Sequence, residues 1–224
     1  TALSELIASG DAVGIYMEKC ADAVAAFFAT VYAGGFYSVL NTELPQNRLQ
    51  TTVSVLNPKV IVTSESLLET AKEYFSERKI VTFEDLAKSE PDYAKLGEIR
   101  SHKIDTDPLY INFTSGSTGT PKGIVVCHRS VIDFIDHFTE IFGIDNNDVI
   151  ANQAPFDFDV SVKDIYSAVK TGATLVVVPR RMFSAPAELI DFICDRRITV
   201  MIWAVSALCL ISTFHALDYR TPET

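Results

Sequence analysis

The chain has 224 residues, of which 48% are hydrophobic and 21% charged, with a formal net charge of -10 at pH 7. This composition is typical of a globular protein, and the length allows one large domain or two small lobes. The negative charge disfavours a nucleic-acid partner, because a phosphate backbone needs a basic face. Four cysteines without a Cys-x-x-Cys pair disfavour a zinc site and indicate free thiols in a reducing compartment, so we expect a cytoplasmic protein.

The first hundred residues alternate between short apolar runs and amphipathic stretches. Such alternation predicts a parallel sheet with right-handed helical crossovers. The polar stretch 88–107 is a predicted linker, so residues 1–100 form a first α/β lobe, which we expect to be incomplete at its N-terminus. The predicted strands are 12–17, 36–40, 60–62 and 79–81, and the predicted helices are 21–32, 45–56 and 66–75.

The second predicted lobe, residues 101–224, opens with a hairpin of two apolar runs, 109–113 and 124–127. Ser130 is the predicted N-cap of the helix that follows it. The stretch 198–214 is at the short end of what a membrane span needs, and a buried strand followed by a helix capped near Ser206 explains it better. Further predicted elements are strands from 148, at 174–178 and at 199–203, and helices at 160–169 and 187–194. The fold class is therefore α/β, with two lobes of largely parallel sheet flanked by helices and no membrane span.

The run Thr114–Gly123 combines hydroxyl side chains, glycines and one lysine directly after an apolar strand. Glycines allow close approach of the backbone, and successive N–H groups in such a turn form an anion-binding concavity. The spacing is not that of a Walker A loop, because Gly116 and Gly119 are too close together and Lys122 is followed by glycine. A polyphosphate is the ligand that this set of donors suits, although a flexible turn without a ligand is the alternative.

Four runs of the sequence resemble one known superfamily. The run 114–123 is similar to the phosphate-binding signature of the adenylate-forming enzymes, and 10–18 and 32–40 resemble two earlier segments of that superfamily. The run Phe158–Ser161 is similar to the FDxS signature of amino-acid adenylation domains. This superfamily contains acyl- and aryl-CoA synthetases, luciferases and the adenylation domains of nonribosomal peptide synthetases. The run 156–159 most resembles D-alanine–carrier-protein ligases.

The resemblance implies a fold, a cofactor pair and a set of phosphate contacts. It implies that the chain is part of the large N-terminal domain of an adenylate-forming enzyme, which uses ATP and magnesium. Thr118 is the candidate magnesium ligand. The residues that it assigns to ATP are Thr114, Ser115, Gly116, Ser117, Thr118, Gly119 and Lys122.

Asp159 follows a predicted strand and precedes a predicted helix. The resemblance implies that it binds the α-amino group of an amino acid, and an ammonium in an apolar pocket does need a paired carboxylate. The alternative is that Asp159 only caps the helix. Asp157 is a weaker competitor for the amine, and His128 is interpreted as packing or capping support for the loop.

Further substrate contacts follow from the same resemblance, which places Phe158, Val160, Lys163 and Ile202 at the amino-acid site. Lys163 lies one helical turn beyond Asp159. Three roles remain open for its ammonium: recognition of an acidic substrate side chain, exposure to solvent, or pairing with Asp159.

The resemblance implies ATP-dependent activation of an amino acid and its transfer to the phosphopantetheine thiol of a carrier protein. The alternatives are an acyl- or aryl-CoA ligase, for which Asp159 is unnecessary, and a non-catalytic nucleotide-binding fragment. The superfamily's adenine, ribose and catalytic-lysine motifs are not found in residues 1–224, so no residue here is assigned a catalytic role. We expect the catalytic lysine beyond Thr224 and expect this fragment to be inactive alone.

Overall fold

The computed structural model describes residues 1–114 and 120–223. The chain divides into two compact units, Thr1–Ser130 and Val131–Thr224. The sequence places a division after residue 100, thirty residues earlier. The difference arises because the hairpin assigned to the second lobe extends the sheet of the first unit.

The first unit is built on a six-stranded sheet in the order β4-β3-β1-β2-β5-β6. All neighbouring strands are parallel except the last pair, in which β6 runs antiparallel to β5. The strands are β1 Ala12–Tyr16, β2 Phe36–Val39, β3 Val60–Thr63, β4 Ile80–Thr82, β5 Pro108–Thr114 and β6 Lys122–Cys127. The α-helices are α1 Ala21–Tyr32, α2 Gln46–Leu56, α3 Leu68–Tyr74, α4 Phe83–Leu86 and α5 Tyr93–Ser101, and 3-10 helices span Ala2–Glu5 and Glu65–Leu67.

The central strands of this sheet are buried along their whole length. Every residue of β1 and β3 is buried, as expected for parallel strands covered by helices on both faces. Helix α2 turns Leu49, Val53 and Leu56 into the core. It ends at Asn57, whose φ of 48° lies in the left-handed region that asparagine tolerates, immediately before a proline. The predicted alternation of strand and helix is confirmed here.

The predicted linker 88–107 is wrong over nine of its twenty residues, because α5 lies inside it. The Asp92 carboxylate accepts a hydrogen bond from the Lys95 N–H at 3.0 Å and caps the helix. The Ile99 side chain lies 2.9 Å from the position of a β-carbon on Gly34, so α5 packs against the end of α1. The cap and this tertiary contact together stabilise a helix whose own sequence is largely polar.

The second unit contains a two-stranded parallel sheet, β7 Val149–Asn152 and β8 Thr174–Val177. Its core holds Leu189, Ile193, Ile198 and Trp203, all at most 8% exposed. The α-helices from the end of the first unit onward are α6 His128–Phe142, α7 Ser161–Thr171, α8 Pro186–Asp195, α9 Val205–Thr213 and α10 Ala216–Tyr219, and a 3-10 helix spans Arg180–Ser184. In the described parts of the chain, no helix has both the length and the apolar character to cross a bilayer.

The predicted strand 199–203 is a single bridge, between Ile150 and Val200. The ladder stops because the indole N–H of Trp203 donates to the Ala151 carbonyl at 2.8 Å, an acceptor that the next rung of a parallel ladder uses. Two predicted helix caps are also corrected. Helix α6 starts at His128, so Ser130 lies inside it, and α9 starts at Val205, so Ser206 lies inside it.

Candidate functional site

The β5–β6 hairpin places Thr114 and Lys122 directly opposite each other. These two residues close the antiparallel ladder, and both are exposed. The intervening phosphate-loop candidates Ser115, Gly116, Ser117, Thr118 and Gly119 lie outside the described residues. Within the described chain, the candidate phosphate site is therefore one hydroxyl and one ammonium at the open end of a two-stranded ladder.

Gly123 lies close against two side chains of the same hairpin. A β-carbon at this position would lie 3.0 Å from the Ile111 side chain and 3.3 Å from the Phe113 ring. Phe113 is the direct cross-strand partner of Gly123. Glycine therefore leaves room for the Phe113 ring on the opposite strand.

The other end of the hairpin is joined to the loop before β5. The His128 N–H donates to the Asp107 carbonyl at 3.1 Å, and the Arg129 N–H donates to the Asp105 carbonyl at 2.7 Å. The Arg129 guanidinium also holds the Asp105 carboxylate through two bonds of 2.8 and 2.7 Å. Burial lowers the pKa of His128, and nearby Lys103 lowers it further while Asp107 opposes the shift. A neutral imidazole of this kind is consistent with the packing role.

Asp159 lies in a tight turn between β7 and α7. The turn is ordered by local bonds: Phe158 N–H to the Pro155 carbonyl at 3.2 Å, and Ser161 Oγ–H to the Phe158 carbonyl at 2.8 Å. Phe158, Asp159 and Val160 are all exposed. Val160 is the N-cap of α7, and no side-chain hydrogen bond caps this helix. The helix-cap interpretation of Asp159 therefore lacks its defining contact.

Lys163 pairs with a residue that the sequence analysis missed. Its Nζ lies 2.6 Å from Oδ1 of Asp164, and the two side chains are 13% and 3% exposed. The Asp164 Oδ2 accepts a hydrogen bond of 2.9 Å from Asn152 at the end of β7. Of the three roles considered for Lys163, exposure to solvent is excluded, and the carboxylate beside it is Asp164 rather than Asp159.

The sequence did contain a signal for Asp164. It lies three residues after Ser161 and four before Ala168, on the same buried helix face as Ile165. A charged residue in the middle of an apolar helix face is buried only when it is paired. That rule points to a polar partner, although the identity of Asn152 follows only from the fold.

Ile202 is half-buried and lies between the bridge residue Val200 and the anchored Trp203. Both neighbours bond to β7, the strand that leads into the Asp159 turn, so β7 positions Ile202 as well. Lys122 belongs to the first unit and Asp159 to the second. Among residues 1–114 and 120–223, no group of three His, Cys, Asp or Glu side chains is placed to hold a metal ion. The magnesium candidate Thr118 lies outside the described residues.

The exposed lysine that follows the Ser/Gly-rich run is a candidate nucleotide-binding residue of the first unit, and the aspartate before α7 is a candidate amine-binding residue of the second. The sequence profile described as AMP-binding enzyme matches residues 2–220. The chain therefore belongs to the AMP-binding enzyme family.

Individual relatives agree with this assignment. Indigoidine synthase of Streptomyces lavendulae is 30% identical over 199 residues, which are 87% of this chain and 15% of that synthase. D-alanine--D-alanyl carrier protein ligase of Staphylococcus aureus (strain MRSA252) is 30% identical over 192 residues, which are 84% of this chain and 38% of that ligase. This chain thus spans well under half the length of either relative.

A solved structure confirms the fold. A four-domain nonribosomal peptide synthetase bound to AMP and glycine has a TM-score of 0.79 and 22% identity, covering 94% of this chain and 15% of that one. The predicted fold class and the resemblance to adenylate-forming enzymes are both confirmed by these comparisons.

Proposed function

We propose that the protein containing this chain is an ATP-dependent ligase that activates an amino acid as its aminoacyl-adenylate. The observation that carries the proposal is the Asp159 carboxylate, which is exposed in the β7–α7 turn and caps no helix. A carboxylate in this state is available to a ligand ammonium. Among the exposed neighbours of Asp159, Phe158 and Val160 add apolar surface for the rest of an amino acid.

ATP is the co-substrate in this proposal. Lys122 and the hydroxyl of Thr114 hold the phosphates, together with Ser115–Gly119, and magnesium supplies further charge neutralisation when bound. The substrate carboxylate attacks the α-phosphorus, a P–O bond forms, and pyrophosphate leaves. The residues of this chain contribute by positioning and by charge neutralisation. Ile202 and Lys163 complete the proposed amino-acid site.

The proposed acceptor of the acyl group is the phosphopantetheine thiol of a carrier protein. One relative is named as a carrier-protein ligase, which supports this partner. Thiol attack on the acyl carbon forms a thioester and releases AMP. A cytoplasmic location is supported by the four cysteines, all of which are free.

Pyrophosphate exchange into ATP tests the proposal in the full-length protein, with each amino acid and with representative fatty and aryl acids. We expect exchange that depends on one or a few amino acids. Exchange with acids that lack an amine would favour an acyl- or aryl-CoA ligase, and no exchange with any acid would favour a non-catalytic nucleotide-binding protein.

We infer further that residues 1–224 alone do not catalyse this reaction. The resemblance assigns the ribose contact and the catalytic lysine to motifs that these residues lack. We expect no measurable exchange from the purified 224-residue chain. Exchange at the rate of the full-length protein would overturn this inference.

A further inference from the structure

The turn 153–160 carries Asp159, and a buried hydrogen bond joins the two elements on either side of it. Asn152 is the last residue of β7, and Asp164 lies in the first turns of α7. The Asn152 Nδ2 donates to the Asp164 Oδ2 at 2.9 Å, and the two residues are 0% and 2% exposed. This bond joins the end of the strand to the beginning of the helix and closes the turn between them.

The charge of the buried carboxylate is balanced locally. Lys163 places its ammonium 2.6 Å from the second oxygen of Asp164. A buried carboxylate is unfavourable without such a partner, whereas one paired with a cation and held by a further hydrogen bond is tolerated. Both oxygens of Asp164 are therefore used, one toward β7 and one toward Lys163.

We propose that Asn152 and Asp164 are positioning residues for Asp159, and that their hydrogen bond fixes the turn that presents its carboxylate to the substrate amine. The inference rests on the proposed function. The local bonds of the turn join Pro155 to Phe158 and Phe158 to Ser161, and the Val162 N–H donates to the Asp159 carbonyl at 3.0 Å, so these bonds connect the turn to α7. The Asn152–Asp164 bond instead relates the turn to both flanking elements, and α7 has no side-chain cap that could do so.

The consequence of losing this bond is a displaced Asp159 rather than a missing one. Ligand-binding groups need to be held within about 0.5 Å of their productive position, and a misplacement of about 1 Å can cost about a hundred-fold in rate. Weakening the Asn152–Asp164 hydrogen bond, called the tie below, should therefore raise the KM for the amino acid and leave the KM for ATP unchanged.

The first test is Asn152→Val in the full-length protein, because this change removes the donor and leaves the Lys163–Asp164 pair intact. We expect the apparent KM for the amino acid to rise about ten- to a hundred-fold, with the KM for ATP within about two-fold of the unmodified protein. The matched control is Ile165→Val, a buried residue next to Asp164 that makes no part of the tie. Asn152→Ala, which removes the same donor and also leaves the Lys163–Asp164 pair intact, serves if Asn152→Val does not fold.

Two further measurements separate this inference from the proposed function. In the Asp159→Ala background, Asn152→Val should add less than about two-fold, because it acts through the missing carboxylate. Amide hydrogen exchange of residues 153–160 should accelerate in Asn152→Val and not in Ile165→Val, whether or not the protein adenylates amino acids. The inference would be overturned if amide hydrogen exchange in Asn152→Val were unaltered. It would also be overturned if the KM of this variant for the amino acid were no different from that of the control. If amide hydrogen exchange were accelerated in Asn152→Val but the full-length protein adenylated no amino acid, the proposed function would be overturned instead.

Discussion

The β5–β6 hairpin and the β7–α7 turn each present one charged group, Lys122 or Asp159, but they support it in different ways. The first four residues of β6 are exposed, including Ile124 at 52% and Val125 at 55%. Lys122 is therefore positioned by the backbone ladder opposite Thr114. Asp159 is positioned by buried side chains behind it, Asn152 and Asp164.

This difference predicts where each region is sensitive to mutation. In an exposed ladder, most side chains can change and the backbone register persists, so only the lysine itself and the glycine beside it matter. In the turn, residues that never contact the ligand matter as well, because a partly satisfied buried network is costly.

The largest effect is expected from Asp159→Ala in the full-length protein. The substrate amine would be desolvated without its partner, which costs about 3–5 kcal/mol and lowers kcat/KM for the amino acid by about two to four decades. The kcat/KM of Asp159→Asn should lie between those of the unmodified protein and Asp159→Ala, since asparagine keeps an acceptor and loses the charge. The kcat/KM for ATP should hardly change in either variant.

Melting temperatures of the same two variants distinguish the cap alternative. A cap predicts a stability loss of about 1 kcal/mol in Asp159→Ala, with Asn tolerated almost as well as Asp. Unaltered amino-acid kinetics in Asp159→Ala, with only a lowered melting temperature, would end the substrate-binding proposal.

A second large effect, with the opposite selectivity, is expected from Lys122→Ala. Removing one preorganised charge from a phosphate site costs about a hundred- to a thousand-fold in rate. We expect this loss in kcat/KM for ATP, with a melting temperature close to that of the unmodified protein because Lys122 is exposed. Lys79→Ala, an exposed lysine of the same unit, is the matched control and should have no effect. Equal kinetics for the two variants would remove Lys122 from the phosphate site.

Local patterns predicted most of the elements around both regions. Buried apolar runs identified β1, β3 and β7, and the helix predicted at 160–169 is α7, which ends at Gly172 with a φ of 78°. The hairpin followed from two apolar runs around a Ser/Gly loop. These signals are local, because the residues that decide the conformation are neighbours in sequence.

The remaining features depend on contacts distant in sequence. Helix α5 is stabilised by contact of Ile99 with the end of α1, and the strand expected at 199–203 is ended by the Trp203 bond to Ala151. The Asn152–Asp164 tie spans the turn in the same way. Sequence reasoning therefore found Asp159 but not the residues that support it. The contribution of Asp159 itself remains a prediction, as does that of the phosphate-loop residues.

A moderate loss of stability is expected from Gly123→Val. The new side chain would meet Ile111 and Phe113 at distances where a neighbour has to move, and overpacking of this kind costs about 1–3 kcal/mol. Denaturant unfolding measures the loss. Val125→Thr, an exposed change two residues along the same strand, is the control and should cost less than about 0.5 kcal/mol. If Gly123→Val were as stable as the control, the Phe113 ring would not need glycine across from it.

The smallest effect concerns the pH dependence of stability at His128, beside the base of the hairpin. Its pKa in the folded protein is lowered, mainly by burial, below the value of about 6.5 that an unfolded chain has. The unfolded state therefore binds more protons between these two values, and stability rises with pH across that window. The contribution of a neutral His128 is fully present above about pH 6.5 and is lost as the pH falls below it.

Replacing this imidazole should therefore flatten the acid side of the stability profile. His128→Gln should reduce the fall in melting temperature between about pH 7.5 and pH 5. His137→Gln should change the profile in the opposite direction, because a hydrogen bond to the Asp133 carbonyl raises the pKa of His137. Identical pH profiles for the unmodified protein and His128→Gln would show that His128 does not titrate as a buried group, and the packing role at the base of the hairpin would fail.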